Sequence, residues 1–268
     1  MHFIKAHAYG NDFVYVPQDA VQDVTLDALA RDICDRHTGV GADGLIVYDE
    51  TLGGASMRLF NADGSRAEVS GNGIRGLAAI LLRGNDQSGI EITIQTEAGP
   101  KRVTRSGRSN TREIFRTAMG LPADLRRVPI VVAGESLQIA VMNFGNPQCV
   151  VLGALPGAER FRRLGAALER HPMFPEGTNV EFAEVEADHS VRILIWERGV
   201  GPTASSGTGS CAALIAAAAF GGAGRDADVI APGGPQRVEW AHDNVYLTGW
   251  AEVLCEGEWL RALPRTGA

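Results

Sequence analysis

The chain has 268 residues, of which 45% are hydrophobic and 21% are charged, and its formal net charge is −7. This composition is typical of a globular protein with a buried core, and the length allows one large domain or two of ordinary size. An acidic chain without a basic patch is a poor partner for nucleic acid, and no apolar run approaches the roughly 20 residues that a membrane span needs.

The cysteines and the first residues indicate a cytoplasmic protein. The four cysteines are widely spaced and form no Cys-x-x-Cys pair, which fits reduced thiols. They are Cys34, Cys149, Cys211 and Cys255. The opening residues, MHFIKAHAYGNDF, have neither the basic region nor the apolar region of a signal peptide. The six histidines show no metal-ligand spacing, so we expect no metal.

Short runs rich in Val and Ile, bounded by Gly, Pro, Asn or Asp, predict strands. In chain order they lie at 13–17, 44–49, 57–61, 90–96, 130–134, 137–145, 148–152, 179–186, 190–197 and 244–254. Helices are predicted at 25–37, about 73–83, 159–171 and about 209–220. The first opens with Thr25 as a cap, and the second and fourth are apolar nearly all round, as buried central helices are.

A Ser-Gly-x-Gly turn occurs twice, each time directly before an apolar helical run. The copies are EVSGNGIRGLAA (68–79) and ASSGTGSCAALIAA (204–217), and Ser70 and Ser206 are 136 residues apart. Residues 101–128, polar and weakly periodic, lie near the midpoint, and we place the crossover between two halves there. We therefore expect two similar domains, 1–118 and 119–255, with a C-terminal segment near 256–268 completing the first.

The glycine turns are compatible with more than one role. GNGIRG and GTGSCA match the dinucleotide fingerprint, but the polar residues before Gly71 are not the buried strand that this fold requires, so NAD is not expected. Exposed N–H groups at a helix start also suit a small anion such as a carboxylate. Alternatively, Ser70 and Ser206 simply cap their helices.

Amide side chains recur in short polar clusters at the edges of the predicted strands. The clusters are GND, FNADGS, FGNPQ, EGTNVEF and WERGVGPT. Asparagine offers both a hydrogen-bond donor and an acceptor, so it can hold an ammonium or a carboxylate group. Together the clusters predict a pocket for a small zwitterion.

In these segments the sequence resembles the diaminopimelate epimerase family, and more widely the cofactor-independent amino-acid racemases and epimerases. The motifs follow the family's order over most of the chain: FIKAHAYGNDF, CDRHTGVGADGLI, FNADGSRAEVSGNGIRG, GNPQCVV, FPEGTNVEF and ERGVGPTASSGTGSCAA. The resemblance implies an α/β (α+β) fold of two pseudo-symmetric domains, each a barrel-like sheet around a central helix, with the active site in the cleft between them. The family is often dimeric, so the resemblance includes a homodimer among the possible assemblies.

The resemblance further implies inversion at Cα of an amino acid, without pyridoxal phosphate, other cofactor or metal, by two cysteines on opposite faces of the substrate. The positions that match these cysteines hold Ser70 and Ser206, and Gln148 stands where the family usually has histidine. The implied substrate-binding residues are Asn11, Asn61, Gly71, Asn72, Asn146, Gln148, Asn179, Glu197, Arg198, Gly207 and Thr208.

Serine in place of cysteine changes the chemistry. A thiol has a pKa of about 8.5, whereas a hydroxyl lies near the ~15.7 of water, a gap on the order of 10 kcal/mol against forming the base. A helix N-terminus offsets only about 1–2 kcal/mol of this gap, so the serine needs a neighbouring base. The candidates are Glu68, Asp63, His7 and Glu197. We favour a Glu197–Ser206 pair, and we expect Cys211 to be a core residue.

Three functions remain open from the sequence. The first is a cofactor-independent epimerase or racemase acting on diaminopimelate or a related amino acid. The second is a non-catalytic amino-acid-binding homologue that keeps the pocket without the thiols. The third is a lyase or dehydratase on a related amino acid, in which only one face of the substrate needs a strong base.

Overall fold

The computed structural model describes residues 1–265, and the chain divides into two compact units. The first unit contains residues 1–117 and the chain from Gly249 onward, and the second contains residues 118–248. Of the C-terminal segment expected to complete the first domain, residues 266–268 lie outside the described residues. Within residues 1–265, no helix combines the length and the apolar character needed to cross a membrane.

The strands of the first unit close into a ring. In chain order they are β1 (His2–Ala8), β2 (Asn11–Pro17), β3 (Gly44–Thr51), β4 (Gly54–Asn61), β5 (Arg66–Ala67), β6 (Glu91–Thr96), β7 (Gly99–Ser109), β8 (Arg112–Gly120) and β17 (Val245–Glu258). Pairing runs β1–β2–β3–β4–β6–β7–β8–β17 and returns from β17 to β1, and the short β5 pairs with β4. A closed ring leaves no unpaired sheet edge among these eight strands.

Helix α2 (Gly71–Leu81) fills the interior of this ring. Residues 71–80 are all buried, and the apolar side chains of α2 share one core cluster with residues from all eight strands of the ring. Helix α1 (Leu26–Cys34) packs on a separate cluster built from the opposite faces of β2 and β3. This layering follows from strand geometry, because successive side chains point to opposite faces of a sheet.

Tyr15 on β2 packs against α2 at Gly76, where a side chain has no room. The buried Tyr15 hydroxyl donates a hydrogen bond to the carbonyl oxygen of Gly73 at 2.9 Å, and a Cβ on Gly76 would lie 2.1 Å from the same hydroxyl oxygen. We expect Gly76→Ala to lower the free energy of unfolding by about 1–3 kcal/mol, the usual cost of overpacking a core.

Urea unfolding measures this effect, with Gly107→Ala as the matched control. A Cβ on Gly107 meets no atom within 4 Å, so that variant should stay within about 0.5 kcal/mol of the parent chain. Equal stabilities for the two variants would contradict the close packing of Tyr15 on α2.

The second unit repeats the plan of strands around a buried helix. Its strands are β9 (Ala123–Val132), β10 (Glu135–Asn143), β11 (Pro147–Leu152), β12 (Asn179–Ala187), β13 (Ser190–Glu197), β14 (Gly201–Thr203), β15 (Asp226–Ala231) and β16 (Gly234–Trp240). Pairing runs β9–β10–β11–β12–β13–β15–β16–β17, with β14 on β13, and β11–β12 and β13–β15 are parallel pairs. The helices are α3 (Ala158–Glu169) and α4 (Gly207–Ala216), and α4 continues into a π-helical turn at Ala217–Gly221.

Helix α4 is buried along its whole length, and its cluster takes residues from β10 through β13, β15 and β16. Strand β12 shows how two layers form: Val180 and Phe182 pack toward the cluster of α3, whereas Ala183 packs toward α4. The expected mixture of strands and a few helices, with a buried central helix in each half, is confirmed. Cys211 is a fully buried member of the α4 cluster, as expected.

One segment contains strands that were not predicted, and one cap expectation needs correction. Residues 101–128 contain most of β7, all of β8 and part of β9, strands that the polar composition did not reveal. Arginines occur in all three strands, among them Arg102, Arg112 and Arg126, and they interrupt the apolar pattern of each strand. Thr25 is at the N-cap of α1, but its side chain makes no capping hydrogen bond. Its backbone N–H instead donates to the carbonyl oxygen of Pro264 at 2.8 Å.

Candidate functional site

Ser70 is the N-cap of α2 in the first unit. Its backbone is extended (φ −134°, ψ 118°), and its Oγ accepts a hydrogen bond from the N–H of Gly73 at 3.1 Å. The cap satisfies one of the N–H groups that lack an intrahelical partner in the first turn. A small anion at this helix start would meet the N–H groups of Gly71 and Asn72 and the positive end of the helix dipole.

Asn11, at the start of β2, is held by groups on both sides. Its Oδ1 accepts from Nδ2 of Asn72 at 3.1 Å, and its Nδ2 donates to Oδ2 of Asp43 at 2.8 Å. Asp43 is held in turn by Arg36, whose Nη2 also reaches Asp12. The structure therefore brings two predicted site residues, Asn11 and Asn72, into direct contact and fixes the direction of the Asn11 amide.

Arg75 lies one turn further along α2 and is fully buried. Its guanidinium donates to Oδ1 of Asn72, and its Cζ lies 5.7 Å from the centre of the Tyr9 ring. The position was not singled out from the sequence, although an arginine within an apolar helical run is itself a signal. The arrangement places a positive charge inside the ring of strands and holds the amide of Asn72.

Two of the proposed bases in the first unit, Asp63 and His7, are engaged with other groups, and the third, Glu68, is exposed. Asp63 accepts hydrogen bonds from the N–H and the hydroxyl of Ser65, which lower the pKa of its carboxyl. His7 contacts the N–H of Gly10, the Glu252 carboxylate and the Trp250 ring. Glu68 lies in the exposed segment before Ser70. Asn61, at the end of β4, donates to the Ser65 hydroxyl at 2.9 Å rather than to another predicted site residue.

Ser206 caps α4 in the second unit with the same geometry as Ser70. Its backbone is extended (φ −140°, ψ 127°), and its Oγ accepts from the N–H of Gly209 at 3.2 Å. The carbonyl oxygen of Ser206 accepts from the N–H of Ser210, which continues the helix. In both units a serine hydroxyl therefore lies at the first turn of a buried helix, and its oxygen accepts a hydrogen bond from a backbone N–H of that turn.

Four predicted residues of the second unit form one contact group. Gln148 and Asn179 face each other in the parallel pair of β11 and β12. Nε2 of Gln148 donates to Oδ1 of Asn146 at 2.6 Å, and the Gln148 amide lies 3.2 Å from Oγ1 of Thr208. Gln148 is fully buried, and Asn179 and Thr208 are nearly so.

The turn that carries Glu197 and Arg198 is held by Glu169 at the end of α3. Oε2 of Glu169 accepts from Nε1 of Trp196 at 2.7 Å, and its Oε1 accepts from the N–H of Gly199 at 2.8 Å. One carboxylate thus contacts the residues immediately before and after the predicted pair.

Asn179 links this turn to the contact group. Its Oδ1 accepts from the N–H of Arg198 at 3.0 Å, and a guanidinium nitrogen of Arg198 donates to the carbonyl oxygen of Glu176. The turn is therefore fixed by a strand neighbour as well as by the end of α3.

Glu181 is a fully buried carboxyl beside the start of α4, and no sequence motif pointed to it. A Cβ built on Gly209 would lie 2.6 Å from Oε1 of Glu181 and 3.2 Å from the Cβ of Ser206. Burial, and then the charge of Glu197, raise the pKa of Glu181 well above its ordinary value, which favours the protonated carboxyl. The strand period of two was the available signal, because it places Glu181 on the same face as Asn179.

Within residues 1–265, three of the four thiols are buried, Cys255 is exposed, and the metal-ligating side chains form no second site. Cys34, Cys149 and Cys211 are buried, and burial raises the pKa of Cys34 to about 12 and that of Cys149 beyond its usual range. Such thiols are poor nucleophiles. The described residues contain no group of three or more His, Cys, Asp or Glu arranged to hold a metal ion.

Comparison with known proteins places these features in a family. A sequence model described as diaminopimelate epimerase matches residues 3–122 and 140–254. Among the relatives, a diaminopimelate epimerase of Desulforudis audaxviator is 40% identical, over 98% of this chain and 100% of its own length.

Solved structures show the same fold at low sequence identity. A probable proline racemase of Agrobacterium radiobacter has a TM-score of 0.73 and 18% identity, covering 96% of this chain and 92% of its own. A hydroxyproline epimerase of Agrobacterium vitis has a TM-score of 0.72 and 17% identity, covering 96% and 91%. The family match over most of the length, the 40% identity and the shared fold agree, and the chain belongs to the diaminopimelate epimerase family of isomerases.

Proposed function

We propose that this protein is a cofactor-independent epimerase that inverts the α-carbon of diaminopimelate or a closely related amino acid. The observation that carries the proposal is the pair of matched helix starts, in which Ser70 and Ser206 each present a hydroxyl that accepts a backbone N–H. Family membership supports the substrate class, since the curated relatives are named for diaminopimelate.

The reaction removes one proton from the α-carbon and adds another to it from the opposite face. One serine oxygen, deprotonated by a neighbouring base, takes the α-proton from one face, and the electron pair left on Cα spreads into the carboxylate. The other serine hydroxyl then delivers a proton to the opposite face. N–H groups of Gly71 and Asn72, and of Gly207 and Thr208, would stabilise the charge that develops on the substrate carboxylate. The proposal requires one ligand within reach of both hydroxyls.

Glu197 is the base that we assign to Ser206. A nearby negative charge and burial both disfavour ionisation of a carboxyl and drive it toward the neutral form. Here the neutral partner is Glu181, whose pKa the Glu197 charge helps to raise. Glu197, whose side chain is half-buried, is the carboxyl that we assign to accept the Ser206 proton. We also propose substrate-binding roles for Asn11, Asn61, Asn146, Gln148, Asn179 and Arg198.

A non-catalytic amino-acid-binding protein is the second candidate. The observation that favours it is that both serine oxygens already act as helix caps, a sufficient structural role for either residue. In that case the amide side chains still hold the ligand, but no proton leaves the α-carbon.

Incubation in D₂O with each stereoisomer of diaminopimelate separates these functions. We expect loss of the α-proton NMR signal together with optical inversion. Tight binding without exchange would support the binding protein instead, and release of water or ammonia would indicate a lyase. Ser70→Gly and Ser206→Gly are the matched variants, because glycine replaces serine at an N-cap at a cost of only a few tenths of a kcal/mol. Both should lose inversion while remaining folded, whereas unchanged inversion would refute the assigned roles.

A further inference from the structure

Glu169, the last residue of α3, is a carboxylate in a place that does not favour one. It is only 7% exposed, and the two groups that donate to its oxygens, the indole of Trp196 and the N–H of Gly199, are both uncharged. The negative end of a helix dipole also disfavours a carboxylate in the last turn. The stability of α3 therefore gives no reason for a carboxylate here, whereas the turn that it contacts does.

The turn between β13 and β14 has a fixed partner for each of its three N–H groups. The N–H of Arg198 donates to Oδ1 of Asn179 at 3.0 Å, and that of Gly199 donates to Oε1 of Glu169 at 2.8 Å. The next N–H closes the turn on the carbonyl oxygen of Glu197 at 3.1 Å. An exposed turn can leave such groups to water. Here two side chains from other elements hold the turn in one conformation.

The backbone of Glu169 anchors the segment before Asn179 as well. Its carbonyl oxygen accepts from the N–H of Thr178 at 3.1 Å. A Cβ on Gly177 would lie 3.3 Å from that carbonyl oxygen and 3.1 Å from Cδ of Arg198, so the segment packs closely against both. The end of α3 is thus the point at which the segments that carry Asn179 and Arg198 are joined.

Only a carboxylate at position 169 satisfies both donors. Each oxygen of a carboxylate accepts, whereas an amide has one oxygen and one NH₂ group. A glutamine would direct its NH₂ group at either the Trp196 indole N–H or the Gly199 N–H, and two donors would then face each other. The Trp196 ring has little room to turn away, because a Cβ on Gly165 would lie 2.7 Å from it and the Phe161 ring packs on it edge to face. The mismatch is therefore relieved by displacement of the turn.

We propose that Glu169 is a positioning residue that fixes the turn carrying Glu197 and Arg198, acting through the N–H of Gly199 and the indole of Trp196. Supporting contacts of this kind hold a reacting group in its productive geometry. The inference rests on the proposed function for what Glu197 and Arg198 do to the ligand, but the hold on the turn does not depend on it.

The first test uses NMR of the full chain without ligand. The chain has four tryptophans, so the indole N–H signals are few, and that of Trp196 is assigned by its loss in Trp196→Phe. In Glu169→Gln we expect the Trp196 indole signal or the Gly199 backbone signal to move upfield and to exchange faster with D₂O, because one of the two loses its acceptor. Glu159→Gln, the same change at the exposed start of α3, should move neither. Both signals unchanged in Glu169→Gln would overturn the proposal.

The second test is calorimetric titration with diaminopimelate, which separates affinity from the fraction of folded protein. The dissociation constant of Glu169→Gln should rise by about 10-fold, the loss for a weakened hydrogen bond to a charged group, with the stoichiometry of the parent. The rate of α-proton exchange at saturating diaminopimelate should fall by up to about 100-fold, the cost of moving a reacting group by about 1 Å. Glu159→Gln should keep both values. A purely structural role would lower the stoichiometry and leave the dissociation constant and the rate per bound ligand unchanged, and that result would contradict the positioning role.

Removal of one donor provides a rescue. Without the indole N–H, a glutamine at position 169 can turn its oxygen to Gly199, so adding Glu169→Gln to Trp196→Phe should leave the dissociation constant of Trp196→Phe unchanged. Such non-additivity is expected of residues that act through one contact. An equal loss of affinity in both backgrounds would show that Glu169 does not act through these two donors.

The outcomes separate this inference from the proposed function. If the parent chain binds no diaminopimelate, or binds it without exchange, the epimerase assignment fails, and the signals of Trp196 and Gly199 still decide whether Glu169 holds the turn. If the parent exchanges the α-proton and Glu169→Gln equals Glu159→Gln in affinity and rate, the epimerase assignment stands and the positioning role is refuted.

Discussion

Replacing Ser70 and Ser206 together by cysteine should raise the rate of α-proton exchange from diaminopimelate by about 10²- to 10⁴-fold, the range that a well-matched acid–base group contributes. A thiol has a pKa of about 8.5, and the N–H groups of a helix start lower it further, so a thiolate forms near neutral pH without a strong neighbouring base. Both positions accept an N–H in the first turn of a helix, which is the environment that stabilises a thiolate. Exchange in D₂O, followed by proton NMR, measures the change.

The matched control for the cysteine variant is Ser205→Cys, which places a new thiol one residue before the cap of α4. Ser205 is buried beside Gln236, and its thiol should leave the exchange rate at the parent level. Loss of the two serine caps should lower the free energy of unfolding by about 1 kcal/mol each, so stability is measured in parallel. A double variant that folds, binds diaminopimelate and exchanges no faster than the parent would show that positions 70 and 206 do not hold the acid and base.

The second large effect is expected at Glu113, in the hairpin of β7 and β8. Its Oε2 accepts from Nε of Arg105 at 2.7 Å, and its Oε1 accepts from Arg108. The Arg105 side chain is only 2% exposed, so the guanidinium depends on Glu113 for its charge partner. We expect Glu113→Gln to lower the free energy of unfolding by about 3–5 kcal/mol, because it leaves a buried charge uncompensated. Denaturant unfolding measures this loss.

A double variant tests the cause of that loss. Replacing both charges with apolar groups, as Arg105→Met with Glu113→Leu, should recover most of the stability, because well-packed apolar residues often replace a buried ion pair without cost. Glu256→Gln is the control, since its pair with Arg83 has both side chains about half exposed and should matter by less than about 1 kcal/mol. A Glu113→Gln variant as stable as this control would contradict the importance of the buried pair.

Several elements could be predicted because their signals are local. The two Ser-Gly-x-Gly turns predicted the starts of α2 and α4, and the absence of a polar stripe predicted that both helices are buried. Strands β3 and β13 were found within about two residues of their observed bounds, since they are apolar runs between turn residues. The roles assigned to the site residues remain predictions that the experiments above test.

Other elements were not predicted from the sequence. Either their pairing partners are distant in the chain, or only one face of the strand is buried. Strand β7 reads as a polar segment, yet its buried Arg105 is stabilised by a residue on the next strand. Strand β1 was overlooked because His2, Lys5 and His7 interrupt its apolar residues, although it pairs with the next strand, β2, as well as with the distant β17. The residue pattern of one sequence does not show which strands pair with each other.

From the residues alone followed the family and the paired helix starts, because each depends on residue identity or on spacing within a few turns. Tertiary structure decided which carboxyl lies beside the start of α4. Parallel pairing of β11 with β12 brings Gln148 next to Asn179 and, two residues on, brings Glu181 against Gly209. Whether a carboxyl is charged depends on the water and charge around it, and that environment is assembled from segments that only folding brings together.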